Sequence, residues 1–295
     1  MKDRYALYEG CSLHGTGREY YESLKAVFKI LAVRLDKVQH WTCCGTSSRI
    51  SESPLVAAAL PLRNIIQAEK QGKTDVLAPC AACFARLKDS LYKYREKAEL
   101  RESLRSLFEY DFKDSVKVLH PLEVLAEREG LKIIREKVKM SLKGVRAVAY
   151  YGCLITRPPE IMQCDDPEYP LHMDRILAAA GIEMLDWSYK TECCGASLSL
   201  TRKDVVITLC ERILTEAVAR GADVIAVACP LCHANLDMRQ KEVEEKSQKK
   251  SSIPILYFTE LLSLAFGIPP SQVPLSRHLT SAAPLLEKIG ALSKG

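Results

Sequence analysis

The sequence predicts an α/β protein of two pseudo-repeated domains, each a small parallel sheet with flanking helices. Three observations carry this: a cysteine pattern that occurs twice in the same order, short apolar runs that alternate with longer helical patterns, and glycines placed where helices should stop.

The duplication comes first. Cys11, Cys43-Cys44, Cys80 and Cys83 in the first half are matched by Cys153, Cys193-Cys194, Cys229 and Cys232 in the second. Corresponding cysteines are offset by about 150 residues, with one small length difference ahead of the pair. Their surroundings repeat too. Tyr8-Glu9-Gly10-Cys11 matches Tyr150-Tyr151-Gly152-Cys153, Cys43-Cys44-Gly45 matches Cys193-Cys194-Gly195, and Asp75-Val76-Leu77-Ala78 echoes Asp223-Val224-Ile225-Ala226.

Each half opens with a β-rich run, Tyr5 to Tyr8 or Ala147 to Tyr151, that ends at Gly-Cys. A helical pattern follows, Tyr20 to Asp36 or Leu171 to Ala180, and then a second strand. After the Cys-Cys-Gly turn comes another helix, Leu55 to Lys70 or Lys203 to Arg220, which Gly72 or Gly221 stops before the apolar run leading to Cys-x-x-Cys. Strands alternating with helices imply parallel sheets, whose ligands gather beyond the carboxyl ends of the strands, and all ten repeated cysteines fall at strand ends or turns. A charged helical stretch, Phe84 to Tyr110 and on through Leu122 to Lys143, should cover the sheet and join the halves. The boundary is expected near Gly144, giving an N-terminal domain of residues 1–143 and a C-terminal domain of residues 144–295. Arg239 to Lys250 should form an exposed helix and loop, and the proline-containing segment after Gly267 a wrapping tail.

Composition narrows the function. With 295 residues and 47% hydrophobic content the chain has ample apolar material for sizeable cores. A net charge of +5 is too weak to argue for nucleic acid, though it favours anionic small molecules or an acidic partner surface. Met1-Lys2-Asp3-Arg4 leads into a short strand and lacks signal-peptide features. The longest nearly uninterrupted apolar segment, Val224 to Cys232, falls far short of the roughly 18 residues a membrane span needs. A cytoplasmic protein without direct membrane insertion is therefore expected. There the twelve cysteines stay reduced, which points to metal or redox chemistry rather than disulfides.

The pairs Cys80/Cys83 and Cys229/Cys232 have the spacing of thiolates that turn back onto one metal atom or one cluster edge. Adjacent cysteines chelate a single tetrahedral ion poorly but can reach neighbouring irons, so Cys43-Cys44 and Cys193-Cys194 favour multinuclear binding. Five cysteines per half exceed the four that structural zinc takes, which makes zinc the weaker reading. A thioredoxin-like reading of Cys229-Pro230-Leu231-Cys232 explains only two of the five.

These residues, together with Arg157-Pro158-Pro159, Asp165-Asp166-Pro167-Glu168 and Met173-Asp174, resemble the twin cysteine-rich family named for its Cys-Cys-Gly signature and found in the B subunit of heterodisulfide reductases. The resemblance covers nearly the whole chain. It implies two noncubane [4Fe-4S] clusters, one held by Cys11, Cys43, Cys44, Cys80 and Cys83, the other by Cys153, Cys193, Cys194, Cys229 and Cys232. It also implies cleavage of a disulfide between two thiol coenzymes, in methanogens coenzyme M and coenzyme B, with each cluster taking one sulfur and giving one electron. Electrons would arrive from the small ferredoxin-like C subunit of heterodisulfide reductase and often a flavin-bearing A subunit, since no G-x-G-x-x-G follows a strand here. Gly45 stands where several methanogen members have proline; with Trp41 and Thr46-Ser47-Ser48 it leans toward the broader bacterial and archaeal branch and leaves the disulfide open. Two alternatives stand beside disulfide cleavage: an iron–sulfur electron relay in a larger oxidoreductase, and a zinc-bound scaffold.

Other residues carry a sharp and a bland reading. His14 and His233 lie near ligand cysteines and could donate protons, or simply form caps and hydrogen bonds. Arg49 and Arg157 could meet an anionic coenzyme, or form ordinary salt bridges. Cys164 and Cys210 read as small core residues. Gly10, Gly45, Gly152 and Gly195 suit turns and close packing of a cluster on backbone, while Trp41 and Trp187 read as core aromatics.

Overall fold

The computed structural model describes residues 1–46, 53–248 and 252–292. Its strands are β1 (Arg4–Leu7), β2 (Arg34–Lys37), β3 (Asp75–Leu77), β4 (Lys117–Leu119), β5 (Arg146–Tyr150), β6 (Glu183–Met184), β7 (Val224–Val227) and β8 (Ile255–Tyr257). They form two four-stranded sheets, ordered β2-β1-β3-β4 and β6-β5-β7-β8, with every pairing parallel.

In this order the chain leaves β1 toward one edge and returns to β3 on its other side, so a topological switch point lies between β1 and β3, and likewise between β5 and β7. Leu7 is the register partner of Leu77, and Tyr150 of Val227. The residues that follow each strand pair therefore emerge side by side at the carboxyl edge.

The central strands β5 and β7 are apolar almost throughout and buried on both faces, as helix-covered parallel strands must be. In the first half, alternation along β1 divides two cores. Tyr5 and Leu7 face a core continuous with the second half, whereas Ala6 and Tyr8 face a separate core built with Ala58, Leu62 and Leu87. The shared core is completed by the helix Arg18–Ile30, which packs on the fully buried helix Phe258–Ala265. Leu122, Leu125, Ile134 and Leu142 from the connecting stretch join it as well.

Several expectations need correction. The helical pattern from Tyr20 ends at Ile30, because Ala32 adopts a left-handed φ of 58° and turns the chain back. Arg34–Lys37 then pairs with β1 as an edge strand, whose charged residues imitate the solvent face of a helix. The connecting stretch is likewise interrupted. Its helices are Ala81–Glu96, Ala98–Phe108, Pro121–Leu125 and Arg128–Lys137, with β4 between the second and third. The run from Arg239 forms a helix over Gln240–Ser247 that buries Gln240 and Val243, while Lys249 and Lys250 lie outside the described residues. Beyond Gly267 come two short 3-10 turns and the helix Ala283–Leu292. No helix among the described residues is long and apolar enough to cross a membrane.

Candidate metal centres

The ten repeated cysteines gather into two sets at the carboxyl edges. Cys11 follows β1, Cys43-Cys44 follow β2, and Cys80 and Cys83 bracket the start of the helix Ala81–Glu96 beyond β3. Cys153, Cys193-Cys194, Cys229 and Cys232 repeat this after β5, β6 and β7, with Cys229 at the N-cap of the helix Pro230–Met238.

Within each set the sulfurs touch in the same sequence. Cys11 contacts Cys43, Cys44 contacts Cys83, and Cys83 contacts Cys80. In the second set Cys153 lies 4.0 Å from Cys193, Cys194 contacts Cys232, and Cys232 contacts Cys229. In both sets the pair's second cysteine and the Cys-x-x-Cys are buried, while the pair's first is exposed.

Backbone chemistry accommodates these sulfurs. Gly10 and Gly152 sit in left-handed conformation, φ 61° and 68°. A Cβ at Gly10 would stand 3.0 Å from Cys83 Sγ, and one at Gly152 only 2.7 Å from Cys232 Sγ, so both positions exclude a side chain. After each pair, the amide of Gly45 or Gly195 donates to the sulfur of Cys43 (3.4 Å) or Cys193 (3.3 Å). The pair itself is clamped from β1 or β5: Tyr8 donates its hydroxyl to the carbonyl of Thr42 at 2.7 Å, and Tyr150 to that of Glu192 at 2.6 Å. These tyrosines are part of the sequence repeat, but the repeat alone does not disclose the clamp.

Two thiols in each set are shifted toward the ligating form, and the cysteines that donate to them are shifted away from it. A hydrogen bond from Cys83 holds Cys44 down at about 6 and Cys80 at about 7, and the donor Cys83 is pushed up. Cys153 plays the same part for Cys193, held at about 6, and Cys232 for Cys194, which is also lowered. Thiolate is the form that binds soft metal. Five sulfurs, a touching pair and a touching trio, with a glycine cradle and an amide donor fit an iron–sulfur cluster, whereas one zinc ion would leave a sulfur unused.

Other neighbours differ between the sets. Thr46 Oγ1 lies 3.0 Å from Cys44 Sγ, and Cys80 Sγ lies 3.7 Å from Ser12 Oγ. In the second set Asn235 donates to the carbonyl of Cys194 at 3.0 Å and faces its sulfur at 3.7 Å. Nothing in the sequence pattern marks Thr46, Ser12 or Asn235 as a site residue.

The non-cysteine candidates are placed as follows. His14 Nε2 lies 2.8 Å from the buried Glu9 carboxylate and its ring stacks on Trp41 at 5.5 Å. Although burial opposes it, hydrogen bonds from Tyr21, Lys37 and His14 hold the Glu9 carboxyl below its ordinary value. His233 is buried, and its Nε2 is 3.1 Å from the Ile255 carbonyl; burial holds its imidazole neutral, down at about 3. Arg157 pairs with Glu168 at 2.6 Å and also donates to Thr191. Arg49 lies outside the described residues. Cys210 is buried and turned toward the carbonyls of Cys194 and Asn235, and Cys164 toward that of Thr156. Trp187 is core, donating to the Ala149 carbonyl at 2.9 Å, whereas Trp41 lies at the rim of the first set.

Residues beside the second set reach across to the first half. Leu154 and Leu231, each beside a cysteine of the second set, pack against the first half's separate core. A Cβ at Gly17 would stand 3.0 Å from Pro230, the residue after Cys229.

Comparison with known proteins agrees with this geometry. The cysteine-rich domain model called CCG matches twice, over residues 5–88 and 147–237. The 8-methylmenaquinol:fumarate reductase membrane anchor subunit of Wolinella succinogenes is 26% identical, the match covering 97% of this chain and 100% of that protein. The B subunit of the ferredoxin:CoB-CoM heterodisulfide reductase of Methanosarcina mazei is 29% identical, with 80% of each chain covered. A protein of Archaeoglobus profundus that is like the heterodisulfide reductase B subunit is 24% identical over 92% of this chain and 93% of that one. A hypothetical protein from Helicobacter pylori shares the fold, with a TM-score of 0.74 at 9% identity; it covers 95% of this chain, which spans about half, 52%, of that one.

Proposed function

We infer the function of this chain from its family: it belongs to the cysteine-rich CCG domain family and is similar to the B subunit of heterodisulfide reductases. The finer reading is a catalytic component that reduces a disulfide of thiol coenzymes to two thiols, within a cytoplasmic complex. The observation that carries it is the pair of matching five-cysteine sets at the carboxyl edges of two like sheets, each with an exposed rim.

Cys11, Cys43, Cys44, Cys80 and Cys83 would hold one noncubane [4Fe-4S] cluster, and Cys153, Cys193, Cys194, Cys229 and Cys232 the other. Bound there, the clusters supply the one-electron chemistry that a two-electron disulfide reduction needs twice. The chain's own residues set the conditions. Tyr8 and Tyr150 orient the cysteine pairs, Gly10 and Gly152 leave room at the buried sulfurs, and the exposed cysteines Cys11, Cys43 and Cys193 mark the side open to substrate. Arg157, in an exposed ion pair with Glu168, remains a candidate contact for an anionic coenzyme. A ferredoxin-like C subunit, with a flavin-bearing A subunit behind it, would supply electrons.

One observation favours a second reading. The full-length match to a component of a fumarate reductase fits an electron relay with the same clusters and no disulfide cleavage. Anaerobic assay of disulfide reduction with an artificial electron donor separates the two. Turnover that vanishes when either cysteine set is replaced by serine supports cleavage. Full activity after loss of one set contradicts the two-cluster scheme, and clusters that reduce and reoxidise without any disulfide turnover leave the relay.

A further inference from the structure

We propose that the junction of the two halves holds a third metal site, for a divalent ion of the zinc class, ligated by Glu19, His233 and His278. It contains no cysteine and is independent of what the cysteine sets hold.

The three side chains come from separate elements. Glu19 lies in the helix Arg18–Ile30 of the first half, His233 in the helix Pro230–Met238 of the second, and His278 just after the 3-10 turn Leu275–Arg277. One potential ligand atom from each lies within 4.8 Å of the other two. All three residues are buried, at 7%, 4% and 8% exposure.

Their outer contacts are those of metal-bound imidazoles. A ligating histidine commonly has its far ring nitrogen fixed by a carboxylate or a carbonyl. Here His278 Nε2 faces both Glu260 oxygens, at 2.9 and 3.0 Å, and His233 Nε2 faces the Ile255 carbonyl. That leaves Nδ1 of each ring for a ligand. His278 Nδ1 is buried and has no hydrogen-bond partner, although its side chain is inaccessible to solvent.

Unpartnered groups concentrate at this spot. Among the described residues five buried side-chain N or O atoms lack a partner, and three of them are His278 Nδ1 and the hydroxyls of Tyr20 and Tyr257. The rings involved form one stack: Tyr20 on Tyr257 at 4.5 Å, Tyr257 on His233 at 4.5 Å, and His233 beside His278 at 4.6 Å. Buried polar groups left this way call for a bound water or ion.

Charge points the same way. Glu19 and Glu260 are both buried carboxylates, and Arg277, which attracts Glu19, forms its ion pair with Glu22 at 3.0 Å. An ion pair of His278 with Glu260 answers one carboxylate and leaves Glu19 with only the longer-range attraction of His278 and Arg277. A doubly charged ion balances both with the two imidazoles neutral. Two imidazoles and one carboxylate select a first-row transition ion over calcium or magnesium. Zinc bonds of about 2.1 Å set tetrahedral ligand separations of roughly 3.4 Å, so the side chains close in by no more than about 1.4 Å on binding.

The test uses the full chain, purified anaerobically, exposed to Zn2+ and desalted. Zinc content and the zinc-edge X-ray absorption spectrum are measured for the wild type, His278→Gln and Glu19→Gln. The wild type should carry a zinc with a nitrogen and oxygen shell and no sulfur, and each variant should lose that zinc with its acid-labile sulfide unchanged. Equal zinc in all three proteins, or a zinc whose shell is sulfur, overturns the site. Should either substitution unfold the protein, as judged by circular dichroism, the wild-type shell alone decides. Sulfide content reports separately on the cysteine sets, so failure of the cluster reading and failure of this site are distinguishable.

Discussion

The two cysteine sets share a scaffold and differ in what surrounds it. Each has a tyrosine clamp on the carbonyl before its pair, a left-handed glycine under its last sulfur and a glycine amide on the pair's first sulfur. Beside Gly10, however, stands Glu9, bonded to the half-exposed Lys37 and His14 at the surface. Its counterpart Tyr151 donates to Asp174 at 2.8 Å, and Asp174 pairs with the fully buried Lys190 at 2.6 Å. Cys11 is exposed where Cys153 is only partly so. Duplication has kept the contacts that hold ligands and released those that set dielectric and access, the features that tune a cluster's potential and lability. The first site should therefore be the more labile one.

The strongest way to break this comparison is through the glycine cradle. Gly152→Ala puts a methyl 2.7 Å from Cys232 Sγ and should empty the second site, reducing iron and sulfide to about half. Gly10→Ala meets Cys83 Sγ at 3.0 Å and should cost the first site less completely, as read by metal and sulfide content.

Next comes the charge pair found only in the second half. Lys190→Met leaves Asp174 without its cation and should destabilise the protein by about 3 kcal/mol in urea denaturation, whereas Glu9→Gln, buried but with half-exposed partners, should cost about 1 kcal/mol. Equal losses would show that the two surroundings are energetically alike.

Acid probes a feature the halves have in common, a buried neutral imidazole. Burial lowers His120 from 6.5 to about 4. A folded value below the unfolded one means that the unfolded chain takes up the proton first, so stability is lost as pH falls from about 6.5 toward about 4. The loss is on the order of 3 kcal/mol. His120→Gln should remove that share of the pH slope. An unchanged slope would show that His120 titrates normally.

The smallest effects should be the most symmetrical. Tyr8→Phe and Tyr150→Phe each delete one hydrogen bond to the carbonyl before a cysteine pair and should cost about 1 kcal/mol apiece. A large difference between them would mean that the clamps are not equivalent.

Much of this was readable from sequence, for a physical reason. Ligand cysteines, the glycines beneath them and the strands that carry them are local features, and duplication presents each one twice. β4 and β8 escaped notice because a three-residue strand cannot display a period, and Lys117–Leu119 is embedded in a charged stretch. The helix read through Asp36 failed because edge strand β2 carries Arg34, Asp36 and Lys37, a pattern either structure allows. Asn235 and the Glu19–His233–His278 group were invisible because their partners are distant in the chain: the fold brings Glu19 to His233 across the junction, and no spacing rule connects them.

The central claim is that both cysteine sets hold iron–sulfur clusters. Iron, acid-labile sulfide and zinc content of the anaerobically purified protein, with an absorption spectrum of the same sample, tests it most directly. The account predicts about eight irons with matching sulfide and a coloured protein. Sulfur-bound zinc in both cysteine sets, with no sulfide and no visible absorption, would contradict it and leave a scaffold.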